Sequence, residues 1–229
     1  MGLAIAASAQ TTNVKSMSLQ LGDKLIILPS PAGFEEAASQ FEDIKRRMTA
    51  TEAPENDMLA VHMLKEDCAV LRKGESTSPT FYTKVSIRKA NRTTVKTEKD
   101  FAELVAVFRK DGTNILDPNS PRMKATVERL DKALTELDNS DAKLELTQPV
   151  NLGEMDTRPN VYSVLLLLNI SSEVNGTRRD TPILGGMSFV RVKERLLYVY
   201  TYRHYTSKSD IDILREFTRT WIGDILAAN

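Results

Sequence analysis

The sequence predicts an α+β fold with a central, mainly antiparallel sheet covered by amphipathic helices in an α/β/α sandwich-like arrangement. Two apolar segments, 183–192 and 196–205, flank a polar turn at 193–195. Side chains alternate between two faces along the second segment, so the pair is predicted to form a β-hairpin. Residues 207–228 carry apolar side chains at helical spacing, which predicts a helix lying on the sheet. Hairpins favour an antiparallel sheet, and amphipathic helices indicate that the sheet is covered.

Before residue 100, strands and helices are predicted in irregular alternation. An opening hairpin turns at Gly22 and Asp23, and prolines and a glycine break the chain after it. The next elements are a helix at 34–48, a strand at 58–64, a short helix or turn at 65–73 and a strand at 81–89. In the last strand the odd positions from Phe81 are predicted to point inward and the even positions from Lys84 outward.

The second half begins with two predicted helices. Thr97 and Asp100 form a capping-box variant before the first, and Ser120 with Pro121 begins the second. Residues 138–160 are predicted to be mostly loop, with one short strand at 143–146, followed by the strongest strand at 161–170 and a mobile connection at 171–182. No linker separates two complete cores, so residues 16–229 are predicted to form a single α+β domain.

The N-terminus suggests export. Ala7, Ser8 and Ala9 precede Gln10 in a small, apolar segment, which fits a signal-peptide cleavage site. Residues 1–15 are therefore interpreted as a disordered tail or a signal-peptide remnant, and the protein is expected to be periplasmic or secreted from a bacterium. The alternative is an alanine-rich tail on a cytoplasmic protein. The single cysteine, Cys68, is compatible with both, because no intramolecular disulfide can form.

Composition argues against two classes of partner. Formal net charge is zero, with 31 basic and 31 acidic residues, so no bulk affinity for nucleic acid is indicated. The longest apolar run, 164–168, is far shorter than the roughly 20 residues that span a bilayer. The chain is therefore not expected to be an integral membrane protein.

No cofactor or metal signature is found. One cysteine and two dispersed histidines do not make a convincing zinc set. Oxygen ligands between Asp111 and Asp117 lack the spacing of a known calcium loop. Gly185 and Gly186 do not open a helix in a phosphate-binding pattern. Cys68 has few ways to pair with a histidine and is more typical of a small buried residue than of a nucleophile.

Two segments resemble PsbP-like and DcrB-like domains. One is the entry Leu28-Pro29-Ser30-Pro31-Ala32-Gly33-Phe34. The other is the long strand at 196–205, then Ser207-Lys208-Ser209-Asp210, then a helix containing Trp221. The resemblance covers about two thirds of the chain as an order of elements. It implies an exported sandwich domain with an accessory or binding role, and it supplies no functional residues.

A row of aromatic side chains is the first candidate surface. Tyr198, Tyr200 and Tyr202, with His204 beyond them, fall on one face of the predicted strand. They are able to stack on a sugar or a peptide there. The alternative is that they pack beneath a helix with their hydroxyls at its rim.

A basic segment is the second candidate surface. Lys84, Arg88, Lys89, Arg92 and Lys96 follow one another without an intervening acidic residue. Lys84, Arg88 and Arg92 are predicted to bind an anion or an acidic partner. A solvated strand face protected by its basic residues explains the same pattern.

Three functions remain open from the sequence. The first is an exported, non-enzymatic accessory or binding domain that acts through a protein or small-ligand surface. The second is a hydrolase-type enzyme with an unrecognised carboxylate site, and the third is a self-associating structural protein of the envelope. The first is favoured. Neither the ligand nor the protein partner is identified, and a homo-oligomer remains open.

Overall fold

The computed structural model describes residues 16–115, 117–138, 142–174 and 177–229. The predicted tail or signal-peptide remnant at 1–15 lies outside them. The strands are β1 Ser16–Leu21, β2 Lys24–Pro29, β3 Phe34–Glu36, β4 Asn56–Leu64, β5 Phe81–Arg88, β6 Ala142–Leu146, β7 Val150–Asp156, β8 Val161–Val174, β9 Thr177–Val192 and β10 Arg195–His204. The helices are α1 Glu42–Ala50, α2 Lys65–Arg72, α3 Glu98–Ile115, α4 Pro121–Asp138 and α5 Ser209–Ala227.

Among the described residues, eight strands form one antiparallel sheet. Its order is β3-β4-β5-β10-β9-β8-β6, and β7 pairs with the first half of β8 while β6 pairs with the second half. Strands β1 and β2 form a separate hairpin. All of these pairings are antiparallel. The predicted α+β class with a covered antiparallel sheet is confirmed.

Helices cover both faces of the sheet. On one face, here the α5 face, helix α5 and the β1–β2 hairpin bury the odd positions of β10 such as Leu197 and Val199. On the other face, here the α3 face, helix α3 packs on β8 and β9 around Phe189, while α1 and α2 pack on β4 around Met63. Helix α4 packs against α1 and β6.

The hairpin β9–β10 forms as its alternation predicts. Its turn is one residue shorter than expected, because Arg195 pairs directly with Val192 and belongs to β10. Lys193 and Glu194 both take positive φ, at 44° and 63°. This is the backbone of a two-residue hairpin turn whose twist matches that of the strands.

Helix α5 ties the C-terminus to the opening hairpin. The indole Nε1 of Trp221 donates to the Pro29 carbonyl at 2.8 Å, and the ring is fully buried. The side chain of Asn229 bonds both the N–H and the C=O of Ile27, at 2.8 and 2.7 Å. The carboxylate of Asp210 accepts the N–H of Ser207 at 2.8 Å, which is the reach-back bond of a capping box.

The segment predicted as a helix at 34–48 instead contains a strand and a shorter helix. Phe34 pairs with Leu64 in β3–β4, so the first three residues extend the sheet. Glu36 then ends the strand, because its carboxylate accepts the N–H groups of Ala38 and Ser39 at 3.1 and 2.8 Å. Helix α1 begins only at Glu42.

Two segments predicted as loops are paired strands. Within 138–160, strand β7 pairs with β8 although it lacks regular alternation. Within 171–182, the ends of β8 and β9 continue the sheet, with Ser171 opposite Asp180. The predicted mobile connection is therefore wrong for the described residues of this segment. Backbone hydrogen bonds maintain this pairing without apolar side chains, so polar composition does not indicate a loop here.

Candidate ligand-binding cleft

A cleft of about 410 Å³ opens on the α3 face between helix α3 and strand β7. Its floor is formed by alternate residues of β8, which share a face, and by the neighbouring strand β9. The floor side chains are Tyr162, Val164, Leu166 and Met187. Phe108 and Arg109 form one wall, and the other wall and rim consist of Gln148, Pro149, Asn151, Gly153 and Glu154.

A β-bulge in β7 brings Glu154 to this cleft. Asn151 pairs with Leu166, but Glu154 pairs with Val164, so β7 contains one extra residue between these pairs. Residues directly opposite each other in an antiparallel pair share a face. Without the bulge Glu154 would lie opposite Ser163 and point to the α5 face.

Gly153 allows the backbone to adopt the conformation that this bulge requires. Its φ is +100°, a region that non-glycine residues rarely adopt, and its N–H donates to the Asn151 side chain at 2.8 Å. A bulge that redirects one side chain is a common device beside functional sites. In this chain it delivers a carboxylate to the mouth of a cleft whose floor is apolar.

Arg109 and Glu154 close the mouth of the cleft. The guanidinium donates from Nε and Nη2 to the two carboxylate oxygens at 2.8 and 2.9 Å. The hydrogen bonds from Arg109 hold the pKa of Glu154 below its usual range, and the same bonds raise the pKa of Arg109. Both groups therefore stay charged at neutral pH. The guanidinium also lies 5.6 Å from the centre of the Tyr162 ring, within range of a cation–π contact.

A cluster of aromatic rings packs between helix α3 and the floor of the cleft. Phe108 lies 4.4 Å from Phe189, measured between ring centres, and Phe189 lies 5.5 Å from Tyr198 in an edge-to-face contact. Tyr162 stacks near Phe189 at 6.1 Å. Tyr198, the first member of the predicted tyrosine row, thus belongs to the apolar cluster beside the cleft.

The other two tyrosines lie further along the same face. Tyr202 stacks on Tyr82 at 4.9 Å and on Tyr200 at 6.3 Å. All three rings are half-buried, and burial raises the pKa of Tyr82 to about 12. Burial likewise raises the pKa of Tyr202, so both of these hydroxyls remain neutral. Tyr200 and Tyr202 of the predicted row therefore form a stack of partly buried rings. His204 is partly exposed at the end of β10.

Lys84 is the one predicted basic residue that joins the tyrosines. It pairs across the strands with Tyr200, and its Nζ lies 5.3 Å from that ring. The same Nζ is 2.9 Å from the carboxylate of Glu52, which also accepts the Ser86 hydroxyl at 2.6 Å. Burial raises the pKa of Glu52, but the Lys84 charge and these hydrogen bonds lower it further than burial raises it.

The remaining basic candidates do not form one patch with Lys84. Arg88 is exposed at the end of β5, opposite Asn56. Arg92 lies beyond it and forms an ion pair with Asp57 at 3.0 Å. Lys84 and Ser86 were expected to face solvent, but the Lys84 side chain is only 12% exposed and Ser86 is fully buried, and both contact the carboxylate of Glu52.

Sequence reasoning missed the residues of the cleft. They come from α3, β7, β8, β9 and the segment before β7, so no short motif contains them. Only Gly153 gave a local signal, since an isolated glycine within an apolar pattern suggests a bulge. The Arg109–Glu154 pair has no signature in the sequence.

The described part of the chain gives no support to metal or thiol chemistry. Within residues 16–115, 117–138, 142–174 and 177–229, no group of three or more His, Cys, Asp or Glu side chains is placed to hold a metal ion. Cys68 is fully buried, and burial raises the pKa of its thiol to about 11. No helix of these ranges is long and apolar enough to cross a membrane.

Comparison with known proteins identifies no family. No family model matches the chain, and no curated protein matches it. One similar solved structure is the Ran-binding protein Mog1p of Saccharomyces cerevisiae, at 11% identity and a TM-score of 0.33, covering 94% of both chains. Another is a mutant of protein Mog1, at 12% identity and a TM-score of 0.36, covering 93% of this chain and 94% of that one. Likenesses this low carry no argument about function, and the resemblance to PsbP-like and DcrB-like domains stays a prediction.

Proposed function

We propose that this protein is a non-catalytic binding domain that holds a small, largely apolar ligand in the cleft between α3 and β7. The observation that carries the proposal is the cleft itself, whose volume of about 410 Å³ suits a small molecule. Apolar side chains form its floor, and a fixed ion pair and two side-chain amides form its rim. This is the usual composition of a ligand pocket.

Titration of the cleft residues favours binding over catalysis. A general acid or base works best when its pKa lies near the operating pH. The pKa of Glu154 is lowered by its bonds to Arg109, which moves it away from that range. Each described carboxyl group whose pKa clearly departs from its usual value has it lowered: Glu52, Asp100, Glu154, Asp156, Asp180 and Asp210. The hydrolase alternative, which needs a protonated carboxyl, gains no support from this pattern.

The lining indicates the chemistry of the ligand. Arg109 and Glu154 neutralise each other, so the cleft offers no net charge to attract an ion. Gln148 and Asn151 offer amides at the rim, while Leu166 and Met187 offer only apolar surface below. We therefore expect an uncharged ligand, with a ring or branched alkyl group on the floor and one hydrogen-bonding group at the rim.

Saturation-transfer NMR with neutral probes tests this function. Indole, benzamide and cyclohexanol each combine an apolar body with one polar group. The Met187→Trp variant fills the cleft and should abolish their saturation transfer, whereas Met187→Leu keeps a similar volume and should retain it. If no probe receives saturation from the wild-type protein, or if Met187→Trp binds as well as Met187→Leu, the proposal is wrong.

A second pair of variants covers the case in which Met187→Trp does not fold. Arg109→Met removes the guanidinium that stacks on Tyr162 at the mouth, and we expect weaker binding of all three probes. Arg92→Met is its matched control, because Arg92 forms a similarly exposed ion pair with Asp57 away from the cleft. If Arg109→Met and Arg92→Met bind the probes with equal affinity, the probes do not bind in this cleft.

We also propose that the domain is exported. The small residues Ala7, Ser8 and Ala9 before Gln10 support this proposal, as does the resemblance to exported PsbP-like and DcrB-like domains. Fractionation of the tagged protein from its native host tests it directly. Recovery from the periplasm or medium is the expected result, and recovery from the cytosol would contradict export.

A further inference from the structure

A second cleft, of about 450 Å³, lies between helices α1 and α4. Arg46 and Ala50 line it from α1, four residues apart and therefore on one side of that helix. Its α4 wall repeats the same spacing with Arg129, Lys132, Ala133 and Glu136. Ala50 and Ala133 contribute short side chains to the two walls, and the other lining side chains are long.

The charges of this cleft do not balance. Three of its lining side chains are basic and only Glu136 is acidic. Glu136 lies 3.9 Å from Lys132, at the outer limit of an ion pair, and Arg46 pairs with the exposed Asp43 at 2.9 Å. Exposed pairs of this kind contribute little and exchange readily with other anions. The cleft therefore retains a net positive charge, although the whole chain has none.

Arg129 gives the cleft its most specific feature. Its Nε is buried and has no hydrogen-bond partner among the described residues. A buried donor without a partner costs free energy, most of all on a charged group. The planar guanidinium presents its donors as a fork that matches the oxygens of a phosphate or carboxylate group. Arg129 lines a cleft rich in basic side chains, and an oxyanion bound there would supply the acceptor that its Nε lacks.

We propose that the cleft between α1 and α4 binds a phosphate group, either free or as the ester of a small molecule. Arg129 would donate N–H groups from its fork to two phosphate oxygens, and Lys132 and Arg46 would supply further positive charge. Even with Arg46 paired to Asp43 the lining keeps an excess positive charge, and its three basic side chains match the several oxygens of a phosphate better than the two of a carboxylate. No residue lines both this cleft and the cleft between α3 and β7, and the proposal goes beyond the function proposed above.

Calorimetric titration at constant ionic strength tests the proposal, with inorganic phosphate and glycerol 3-phosphate as probes and sodium chloride as the balancing salt. We expect saturable binding of one or both anions. Equal affinity assigns the site to the phosphate group alone, and tighter binding of the ester assigns it to a phosphorylated small molecule. Failure of both anions to saturate would overturn the proposal.

Three charge variants on α4 make the test specific. Arg129→Gln should weaken binding by about tenfold or more, the size of a lost charged hydrogen bond. Glu136→Gln removes the one acidic lining residue and should strengthen binding, an effect that misfolding cannot imitate. Lys124→Gln removes a charge from an exposed position of α4 outside the cleft and is the control. The proposal is refuted if Arg129→Gln and Lys124→Gln weaken binding equally, or if Glu136→Gln weakens it.

Discussion

Arg109 and Glu154 lie 45 residues apart in the chain and are joined by two parallel hydrogen bonds of 2.8 and 2.9 Å. The pair connects the second half of α3 to the bulged strand β7 across the mouth of the apolar cleft. Its geometry is bidentate, which fixes orientation as well as distance. This contact therefore shapes the opening of the cleft.

We predict that this pair affects binding more than stability. Side-chain exposure is 51% for Arg109 and 33% for Glu154, so solvent screens the interaction. A double-mutant cycle with Arg109→Met and Glu154→Gln should give a coupling energy below about 1 kcal/mol in urea unfolding. A coupling of several kcal/mol would show that the pair is mainly a structural contact.

Gly153→Ala should destabilise the protein through backbone strain alone. A Cβ at this position meets nothing closer than Arg215 Nη2 at 3.9 Å, so there is no clash. The φ of +100° is nevertheless unfavourable for alanine, and we expect a loss of about 1–3 kcal/mol in the free energy of unfolding. Gly223→Ala in α5 is the control, because φ is not positive there and alanine favours a helix. Equal losses in the two variants would argue against strain at the bulge.

Trp221 should be among the most sensitive positions of the core. The ring is 1% exposed and its Nε1 donates to the Pro29 carbonyl. Trp221→Ala should cost about 3–5 kcal/mol, and Trp221→Phe less, because phenylalanine keeps much of the packing but leaves that carbonyl unpaired. Urea unfolding followed by circular dichroism measures both. A cost below about 1 kcal/mol for Trp221→Ala would mean that α5 does not hold the opening hairpin.

His62 should make stability depend on pH. It is fully buried between the Thr83 hydroxyl and the Trp221 ring, and burial lowers its pKa from 6.5 to about 4. As the pH falls from 6.5 to 4, the unfolded chain takes up a proton that the folded chain excludes. The free energy of unfolding should therefore decrease by about 3 kcal/mol over this range because of His62.

The His62→Leu variant isolates this contribution. Between pH 6.5 and 4 its free energy of unfolding should fall less than that of the wild type. The carboxyl groups are the same in both proteins, so the difference in pH dependence measures His62 alone. Thr83→Val is the control, since it removes the hydrogen bond to His62 but keeps the titrating ring. Identical pH dependence of wild type and His62→Leu would disprove the burial effect.

The sequence predicted those elements whose side chains repeat regularly. Strands β9 and β10 alternate, and α5 repeats every three to four residues, so their existence and type were predicted correctly. Strand β7 was missed because Gly153 and the bulge interrupt its alternation. The paired ends of β8 and β9 were predicted as a loop because their side chains are polar, although the backbone alone makes the ladder.

The candidate site was beyond sequence reasoning for a different reason. Its parts depend on which strands become neighbours, and β8 acquires β7 on one side and β9 on the other only in the folded sheet. The tyrosine row was correctly placed on one face of a strand. Whether that face meets solvent or helices depends on α1 and α3, whose docking no local pattern specifies.

Binding in the cleft between α3 and β7 is tested most directly by the methyl NMR spectrum of protein labelled with ¹³C at its methionine methyl groups, recorded with the tightest neutral probe. Met187 lines the apolar cleft, while Met63 is fully buried between β4 and the helices α1 and α2 and serves as the internal control. If the ligand binds in this cleft, the Met187 methyl signal shifts in a saturable way and the Met63 signal stays in place. A bound probe that leaves Met187 unchanged would contradict the cleft as the binding site.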